Sequence, residues 1–456
     1  MMTSLMAWNL IHTHETSHWV RYHGTTVGVF LTLLRATRDS LADHVLRILD
    51  NKEIAFFQEE RAKNRRLFAS HPTTVADELG DEVTEYSKIW LSLYYTYSVI
   101  LGMEPLAWPR GDALNKQRKI SLALDTTWRQ WQGRAMLPRA GADLAEVHDF
   151  APLLGGEEPV TTRLLFECAG LLDEGYHFRG PYPQLVHRSL SRIWEHSLKG
   201  EYGEPYRVAE RLANRKLSHS EVLALIDFAL NPPLPGFHRG VTSIDWRELY
   251  PPYRFMFAAV TLRKSGAYAH SEADTARPLP EHVDDFFREV TTETDVRVGS
   301  IDSILTRDAA LRDTSDPTQG FAERIPRMIL LFASLLNQER TQDVAAISHF
   351  GSYMIDPAGI RLLDPDASDY PWWFFAPFRV INNGVFGWPD KRLDIDASTD
   401  LFIGSAISSA YDDIVHSVGP LDVGHLPADC FRDPDEVNAL NDILRSNLRI
   451  NIRWAA

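Results

Sequence analysis

Cysteine is almost absent from the sequence: Cys168 and Cys430 are the only two among 456 residues. Two cysteines make no disulfide framework, and without a CxxC pair they argue against a cysteine-based zinc site. The stretch Met1–His14 lacks a basic start followed by an apolar segment, so it does not have the pattern of a secretory signal. We therefore expect a cytoplasmic, reducing location.

Long apolar runs and positive charge are also in short supply. The longest apolar runs, such as Met328–Leu336, are too short to span a bilayer, so we expect no membrane insertion. There are 47 lysines and arginines against 62 aspartates and glutamates, a net charge of −15. This excess argues against nucleic acid or an anionic membrane as partner, but a small anionic substrate can still bind through a divalent metal.

Strand patterns are scarce as well, and helical periodicity dominates what is there. No Asn-Gly hairpin lies between β-branched runs, and no βαβ spacing recurs. Apolar residues repeat with helical spacing over Val27–Leu49, Val83–Leu101 and Arg324–Glu339. Ser218 and Glu221 form a capping box before a further helix. We expect an all-α fold, mainly a helical bundle with at most a few short strands.

One segment has the composition of a linker. Residues 231–240 hold three prolines and two glycines directly after a strong helix. The sequence thus predicts an N-terminal helical region over 1–235 and a C-terminal helical region over 241–456. The second region would contain a candidate acidic site.

A histidine-rich stretch, His12–His23, contains the string HETSH, which matches HExxH. On a helix, His14 and His18 would share a face and ligate zinc, and Glu15 would polarise the bound water. The context argues against this, because no sheet precedes the motif and several of its residues are weak helix formers. We therefore interpret the stretch as a polar N-terminal segment, with a metal site as the alternative.

A second histidine pattern is the pair Glu174 and His177, which has the ExxH spacing of di-iron helical bundles. Glu59 or Glu85 on other helices would have to complete such a site. Gly175 lies between the two residues and weakens the helix.

Acidic residues cluster at two further places. Asp284, Asp285 and Glu289 follow a proline at a predicted helix start, where acidic residues are common for reasons of helix electrostatics alone. Held together on one face, they would instead form a Mg²⁺ site. Asp412 and Asp413 lie mid-helix with Ser417 one turn on, where helix propensity gives no reason for paired aspartates.

These two acidic elements resemble those of class I terpenoid synthases. Members of that family carry an aspartate-rich DDxxD/E helix and an (N/D)Dxx(S/T)xxxE helix, which face each other across an all-α bundle and hold Mg²⁺ on a diphosphate. Here 128 residues separate Asp285 from Asp413. The match covers the C-terminal half at most. Glu289 falls one residue late for DDxxD, and Leu421 stands where the last glutamate belongs.

The resemblance implies a Mg²⁺-dependent terpenoid cyclase, a lyase acting on a prenyl diphosphate in secondary metabolism. Its catalytic and metal-binding residues would be Asp284, Asp285 and Glu289, with Asp412, Asp413 and Ser417 completing the metal set. The substrate would be a small molecule held by arginines and, through cation–π attraction, by aromatic rings; these residues are Arg361, Arg379, Trp372, Trp373, Phe374, Phe375 and Phe378. A homodimer is compatible with the sequence.

Two other functions stay open. One is an oxygenase or hydrolase whose iron or zinc is held by histidines and carboxylates from helices. The other is a non-enzymatic helical interaction protein whose acidic pairs decorate its surface. The terpenoid hypothesis requires Asp285, Glu289 and Asp413 to converge on one cavity. The first alternative requires His14 and His18 to point into one cavity with Glu174 or His177.

Overall fold

The computed structural model describes residues 2–63, 79–102, 160–179, 184–233, 250–263, 280–299, 321–355 and 421–427, with isolated positions between 442 and 455. Most of this part is helical, which confirms the predicted all-α fold. No described helix is both long enough and apolar enough to cross a membrane.

The described helices of the first half of the chain begin and end as follows: α1 (Met2–Gly24), α2 (Thr26–Ile48), α3 (Asn51–Ala62), α4 (Asp81–Leu101), α5 (Thr162–Gly175) and α6 (Gln184–Lys199). A short 3₁₀ turn, Tyr176–Arg179, follows α5. A second, Glu201–Gly203, precedes the next helix.

The remaining described helices are α7 (Glu204–Ala213), α8 (His219–Leu230), α9 (Pro251–Thr261), α10 (Pro280–Thr294), α11 (Phe321–Gln342), α12 (Ala345–Ser348) and α13 (Phe350–Ile355). Two short strands, β1 (Leu421–Pro427) and β2 (Ile452–Ala455), pair in parallel with Leu421 opposite Ile452. The fold thus has the few short strands that the sequence allowed.

Local sequence signals explain several helix starts. The side chain of Thr25 accepts a hydrogen bond from the backbone N–H of Gly28 and caps α2. Thr161 caps α5 in the same way. Both halves of the Ser218 capping box are present before α8. The predicted helices over 27–49, 83–101 and 324–339 are confirmed as α2, α4 and α11. Capping side chains satisfy backbone donors that a helix start leaves unpaired.

The first helix lies at the centre of the packing. α1 contacts α2, α5 and α11, and it also reaches α12 and α13. Behind α1 and α5, a core of aliphatic and aromatic side chains extends to α8, where every residue from Ser220 to Leu230 is buried. Each large apolar side chain in such a core contributes about 2 kcal/mol by leaving water. α1 is therefore fixed from several sides, and so are the polar residues it carries.

Helices from both predicted regions meet in this packing. α11 contacts α1 and α2, and Val283 and Phe286 of α10 belong to the same core as Val27 of α2. Of the proposed linker, residues 231–233 are described. They follow the last residue of α8 and are not helical. The rest of that segment lies outside the described residues, so the domain boundary stays a prediction.

Candidate metal centre

The histidine-rich stretch is not the weak helix former that its composition predicts. It forms the second half of the 23-residue helix α1. Thr16 and Ser17 are fully buried, and so is Arg21. Packing on several neighbouring helices outweighs the small differences in intrinsic helix propensity. The alternative for this stretch, a helix with His14 and His18 one turn apart, therefore has the backbone that it requires.

His14 and His18 meet a carboxylate from a different helix. The Nε2 atom of His14 lies 3.3 Å from Oε2 of Glu167 on α5. The Nε2 atom of His18 lies 3.6 Å from the same oxygen. One ligand atom from each of the three residues falls within 4.8 Å of the other two. Ligand atoms bound to one tetrahedral zinc ion at 2.0–2.1 Å lie about 3.3 Å apart, so these separations are close to those of a metal site.

A second carboxylate orients the first histidine. The Nδ1 atom of His14 lies 2.6 Å from Oε1 of Glu174, two helical turns beyond Glu167 on α5. This contact fixes the ring so that Nε2 faces Glu167. Histidines that bind metals commonly donate their other ring N–H to a carboxylate, which sets the tautomer and makes the metal-binding nitrogen more basic.

Gly170 provides the space for the His14 ring. A Cβ atom at this position would lie 2.9 Å from Nδ1 and 3.0 Å from Cε1 of His14, which is too close for a normal contact. Gly170 lies between Glu167 and Glu174 on α5, where the ring rests against the helix backbone. Glu167, Gly170 and Glu174 together form the binding surface for the imidazole ring of His14.

The protonation states differ between the two rings. Burial lowers the pKa of His14, but hydrogen bonds with Glu167 and Glu174 outweigh it and raise the pKa to about 9. Burial, followed by the charge of His14, lowers the pKa of His18 to about 4. The pKa of Glu167 is lowered, because its hydrogen bond with His14 and the nearby positive charges outweigh its burial. His18 and Glu167 are thus in metal-binding form at neutral pH, and His14 must release one proton.

One ring nitrogen lacks a hydrogen bond. The Nε2 atom of His18 is buried and has no hydrogen-bond partner among the described residues. A buried polar atom without a partner costs about 1–3 kcal/mol, and native proteins contain few of them. A metal ion between this atom and Glu167 would supply the missing interaction.

Glu15 lies at the solvent side of the cluster. Its side chain is 58% exposed, and Oε2 lies 3.8 Å from Nδ1 of His18. It therefore lies beside the second histidine, next to the ring nitrogen that does not face Glu167.

The ExxH pair does not act as a helical pair. α5 ends at Gly175, and His177 follows in the 3₁₀ turn. Glu174 instead faces His14, through Oε1 at 2.6 Å from Nδ1. On α3, Glu59 pairs with Lys63 at 2.6 Å. Glu85 is exposed on α4.

The first acidic cluster lies on the outer face of α10. Asp284 and Asp285 are exposed, and Glu289 is half-buried. Oδ1 of Asp285 lies 2.8 Å from Nη1 of Arg288. The opposite face of α10 packs Phe286 into the core. An amphipathic helix with a solvated acidic face accounts for this pattern.

The other residues of the terpenoid hypothesis lie outside the described residues. These are Asp412, Asp413, Ser417, Arg361, Arg379, Trp372, Trp373, Phe374, Phe375 and Phe378. Whether the two acidic elements converge on a cavity is therefore not tested, and the magnesium site stays a prediction.

Glu167 is the member of this cluster that sequence reasoning missed. It stands alone in the apolar run TRLLFECAGLL and has no motif of its own. The available signal was spacing: Glu167 and Glu174 are seven residues apart and lie on one helix face, with Gly170 between them. No protein-family model, curated protein or solved structure matches the chain.

Proposed function

We propose that the protein is a metal-dependent hydrolase that binds one zinc ion through His14, His18 and Glu167. The observation that carries this proposal is the convergence of three ligand atoms within 4.8 Å, drawn from two separate helices. Two histidines and one glutamate are a ligand set of catalytic zinc sites, which leave the fourth position for water or substrate. The ligand side chains are 13–20% exposed, so the site lies near solvent rather than deep in the core.

Glu15 supplies the group that hydrolysis needs beside the metal. A bound zinc ion lowers the pKa of its water ligand to about 7 and polarises the substrate. Glu15 would take the proton from that water as the oxygen adds to the electrophilic carbon. The bond to the leaving group would then break, and Glu15 would return the proton to the departing atom. Water is consumed and no oxidant is required.

The same ligand set also occurs in iron oxygenases, the other half of this alternative. Two histidines and one carboxylate form the facial triad of non-haem Fe(II) enzymes. Glu15 favours hydrolysis, since it directly follows a ligand in an HExxH string and lies 3.8 Å from the other histidine. Iron chemistry has no need of a carboxylate base at that position.

A metal-free ion-pair cluster explains less of the geometry. It accounts for the 2.6 Å contact between His14 and Glu174. It leaves the buried Nε2 of His18 without a hydrogen bond, and it gives no reason for a second histidine beside the first, 4.6 Å between ring centroids. Two adjacent imidazoles repel each other when both are protonated and cooperate when both face one cation.

The test measures zinc binding and hydrolysis separately, so that variants can lose one and keep the other. The purified full-length chain, freed of metal by a chelator, is titrated with Zn²⁺ and assayed against a panel of ester and amide substrates. We expect one zinc per chain, with metal binding lost in His18→Ala and Glu167→Ala. Glu15→Gln should keep the zinc and lose hydrolysis. The matched control is Glu85→Gln, which changes an exposed glutamate on α4 and should alter neither.

Other outcomes would point elsewhere. Zinc binding that survives both ligand variants would contradict the proposed site. Retention of iron with oxygen-dependent turnover would favour the oxygenase. Release of diphosphate from a prenyl diphosphate with Mg²⁺ would support the terpenoid hypothesis.

A further inference from the structure

We infer that Arg21 and Asp173 are positioning residues that set the register of α1 against α5 and thereby bring the zinc ligands together. This inference rests on the proposed metal site but on a separate set of contacts. The two residues belong to the same pair of helices as the ligands. Arg21 follows His18 by three residues, and Asp173 immediately precedes Glu174.

The pair is completely removed from solvent. Both side chains are 0% exposed, and Nη1 of Arg21 lies 2.6 Å from Oδ2 of Asp173. Ser17, which lies between His14 and His18 on α1, donates from Oγ to the same carboxylate oxygen at 2.7 Å. Nη1 of Arg21 also donates to Ser17. Asp173 is thus held by two residues of α1 that lie one turn apart.

A third element closes the arrangement. The backbone N–H of Gly351 at the start of α13 donates to Oδ1 of Asp173 at 2.9 Å. Nη2 of Arg21 donates to the carbonyl oxygen of Ser348 at 2.9 Å. A Cβ atom at position 351 would lie 2.6 Å from Cα of Asp173, so glycine is needed for this approach. The contacts join α1, α5 and the turn before α13 at one point.

A buried ion pair of this kind adds little to the free energy of unfolding. It does fix the position of α1 along α5. A buried ion pair loses about as much by desolvation as it gains by attraction, and an apolar replacement is often no less stable. Here Nε of Arg21 is also buried without a hydrogen-bond partner among the described residues. What the pair does provide is direction. Sliding α1 along α5 by one residue, about 1.5 Å, would separate both α1 donors, Ser17 and Arg21, from Asp173.

The metal site needs that register. His14 must meet Glu174 while His18 meets Glu167, and these contacts span seven residues of α5. The apolar contacts between the helices are less directional and tolerate small shifts. The buried pair therefore selects, among similar packings, the one in which both histidines face Glu167.

The chain contains a matched control. Asp227 on α8 is 0% exposed and binds Arg340 of α11 through two contacts of 2.7 Å. This pair also joins two helices and does not involve α5. Arg340 is 15% exposed, and its Nε also donates to the carbonyl oxygen of Gly24 at the C-terminal end of α1, at 3.2 Å, a contact that Asp227→Asn leaves in place. Loss of either pair should lower thermal stability. Loss of the Asp173 pair alone should disturb the metal site.

The experiment compares Asp173→Asn, Asp227→Asn and Gly351→Ala in the full chain, at a temperature at which all three are folded. Two properties are measured. The first, without metal, is the downfield NMR signal of the proton shared by His14 and Glu174, assigned by its loss in Glu174→Ala. The second is the affinity for Zn²⁺ by competition with a chelator, together with the absorption spectrum of the Co²⁺-loaded protein.

We expect Asp173→Asn and Gly351→Ala to shift or abolish the NMR signal, to weaken Zn²⁺ binding about tenfold or more, and to change the Co²⁺ spectrum. Asp227→Asn should leave all three unchanged. An unaltered NMR signal in Asp173→Asn, or equal effects of both Asn variants, would overturn the inference. If the wild type binds no Zn²⁺ while the NMR signal behaves as expected, the proposed function fails and the positioning role stands.

Discussion

His14 lies between two carboxylates of one helix: its Nδ1 is 2.6 Å from Glu174, and its Nε2 is 3.3 Å from Glu167. The two glutamates are two helical turns apart on α5, and a glycine between them admits the ring. One imidazole is thereby fixed at both nitrogens. A metal ion would replace only the contact between Nε2 and Glu167. The contact between Nδ1 and Glu174 would hold the ring in place.

Removal of the contact between Glu174 and His14 should weaken metal binding without removing a proposed metal ligand. In Glu174→Ala, the His14 ring loses its orientation and the basicity that a carboxylate partner gives. Loss of such a partner typically lowers metal affinity 10–100-fold. We expect Zn²⁺ affinity to fall by about that factor, measured by chelator competition, and Glu174→Gln to restore part of it. An affinity unchanged in both variants would show that Glu174 does not support a metal ligand.

A small residue is required beneath the ring. Gly170→Ala would place a methyl group 2.9 Å from Nδ1 of His14, so the ring must move. Alanine is about 1 kcal/mol more favourable than glycine inside a helix, so the fold should not suffer from propensity. We expect weaker Zn²⁺ binding with thermal stability largely kept. The control is Gly24→Ala at the end of α1, where the three atoms nearest to the methyl group would all belong to Ile347, at 3.2–3.6 Å; equal affinities in the two variants would contradict this role.

Metal binding should depend on pH with a defined sign. His14 has a pKa of about 9 in the metal-free protein, so at neutral pH it carries a proton that zinc must displace. At pH values below that pKa, the affinity for Zn²⁺ should increase about tenfold for each unit by which the pH is raised. One proton should be released for each ion bound. Calorimetry in buffers of different ionisation enthalpy measures this number. Release of no proton at pH 7 would be inconsistent with His14 as a ligand.

Acid should destabilise the fold through His23. This side chain is buried, and burial lowers its pKa to about 4 from an ordinary value of 6.5. The unfolded chain therefore binds a proton below pH 6.5 that the folded chain does not bind until about pH 4. Stability contributed by neutral His23 is complete above pH 6.5 and decreases as the pH falls toward 4.

The check is a series of urea unfolding curves between pH 7 and 4.5. We expect His23→Asn to flatten the pH dependence, although its stability at pH 7 will be lower, since Nδ1 of His23 is bonded to the carbonyl of Trp19 at 2.9 Å. His44→Gln, at a half-exposed histidine, serves as control. If both variants keep the wild-type slope, His23 is not the group that titrates.

Much of the fold was predictable from sequence. Long amphipathic or buried stretches such as 83–101 reveal helices through their periodicity, and the Ser218 capping box marks a helix start within one residue. Local chemistry decides these features, because a cap or a stripe involves residues within a few positions of one another.

The site was predictable only in part. HExxH gave the two histidines and Glu15, but weak local propensity argued against a helix there. Burial of α1 by helices that lie far apart in sequence reversed that argument. Glu167 is separated from His18 by 149 residues, so nothing local connects them. Long-range packing brings this carboxylate to the histidines, and a single sequence contains little trace of such packing.

The central claim is that one metal ion lies between His14, His18 and Glu167. Its most direct measurement is an anomalous difference map at the zinc absorption edge, from crystals of the full chain grown with Zn²⁺. We predict a single strong peak bonded to Nε2 of both histidines and to a carboxylate oxygen of Glu167. A map with no peak at that position would contradict the claim.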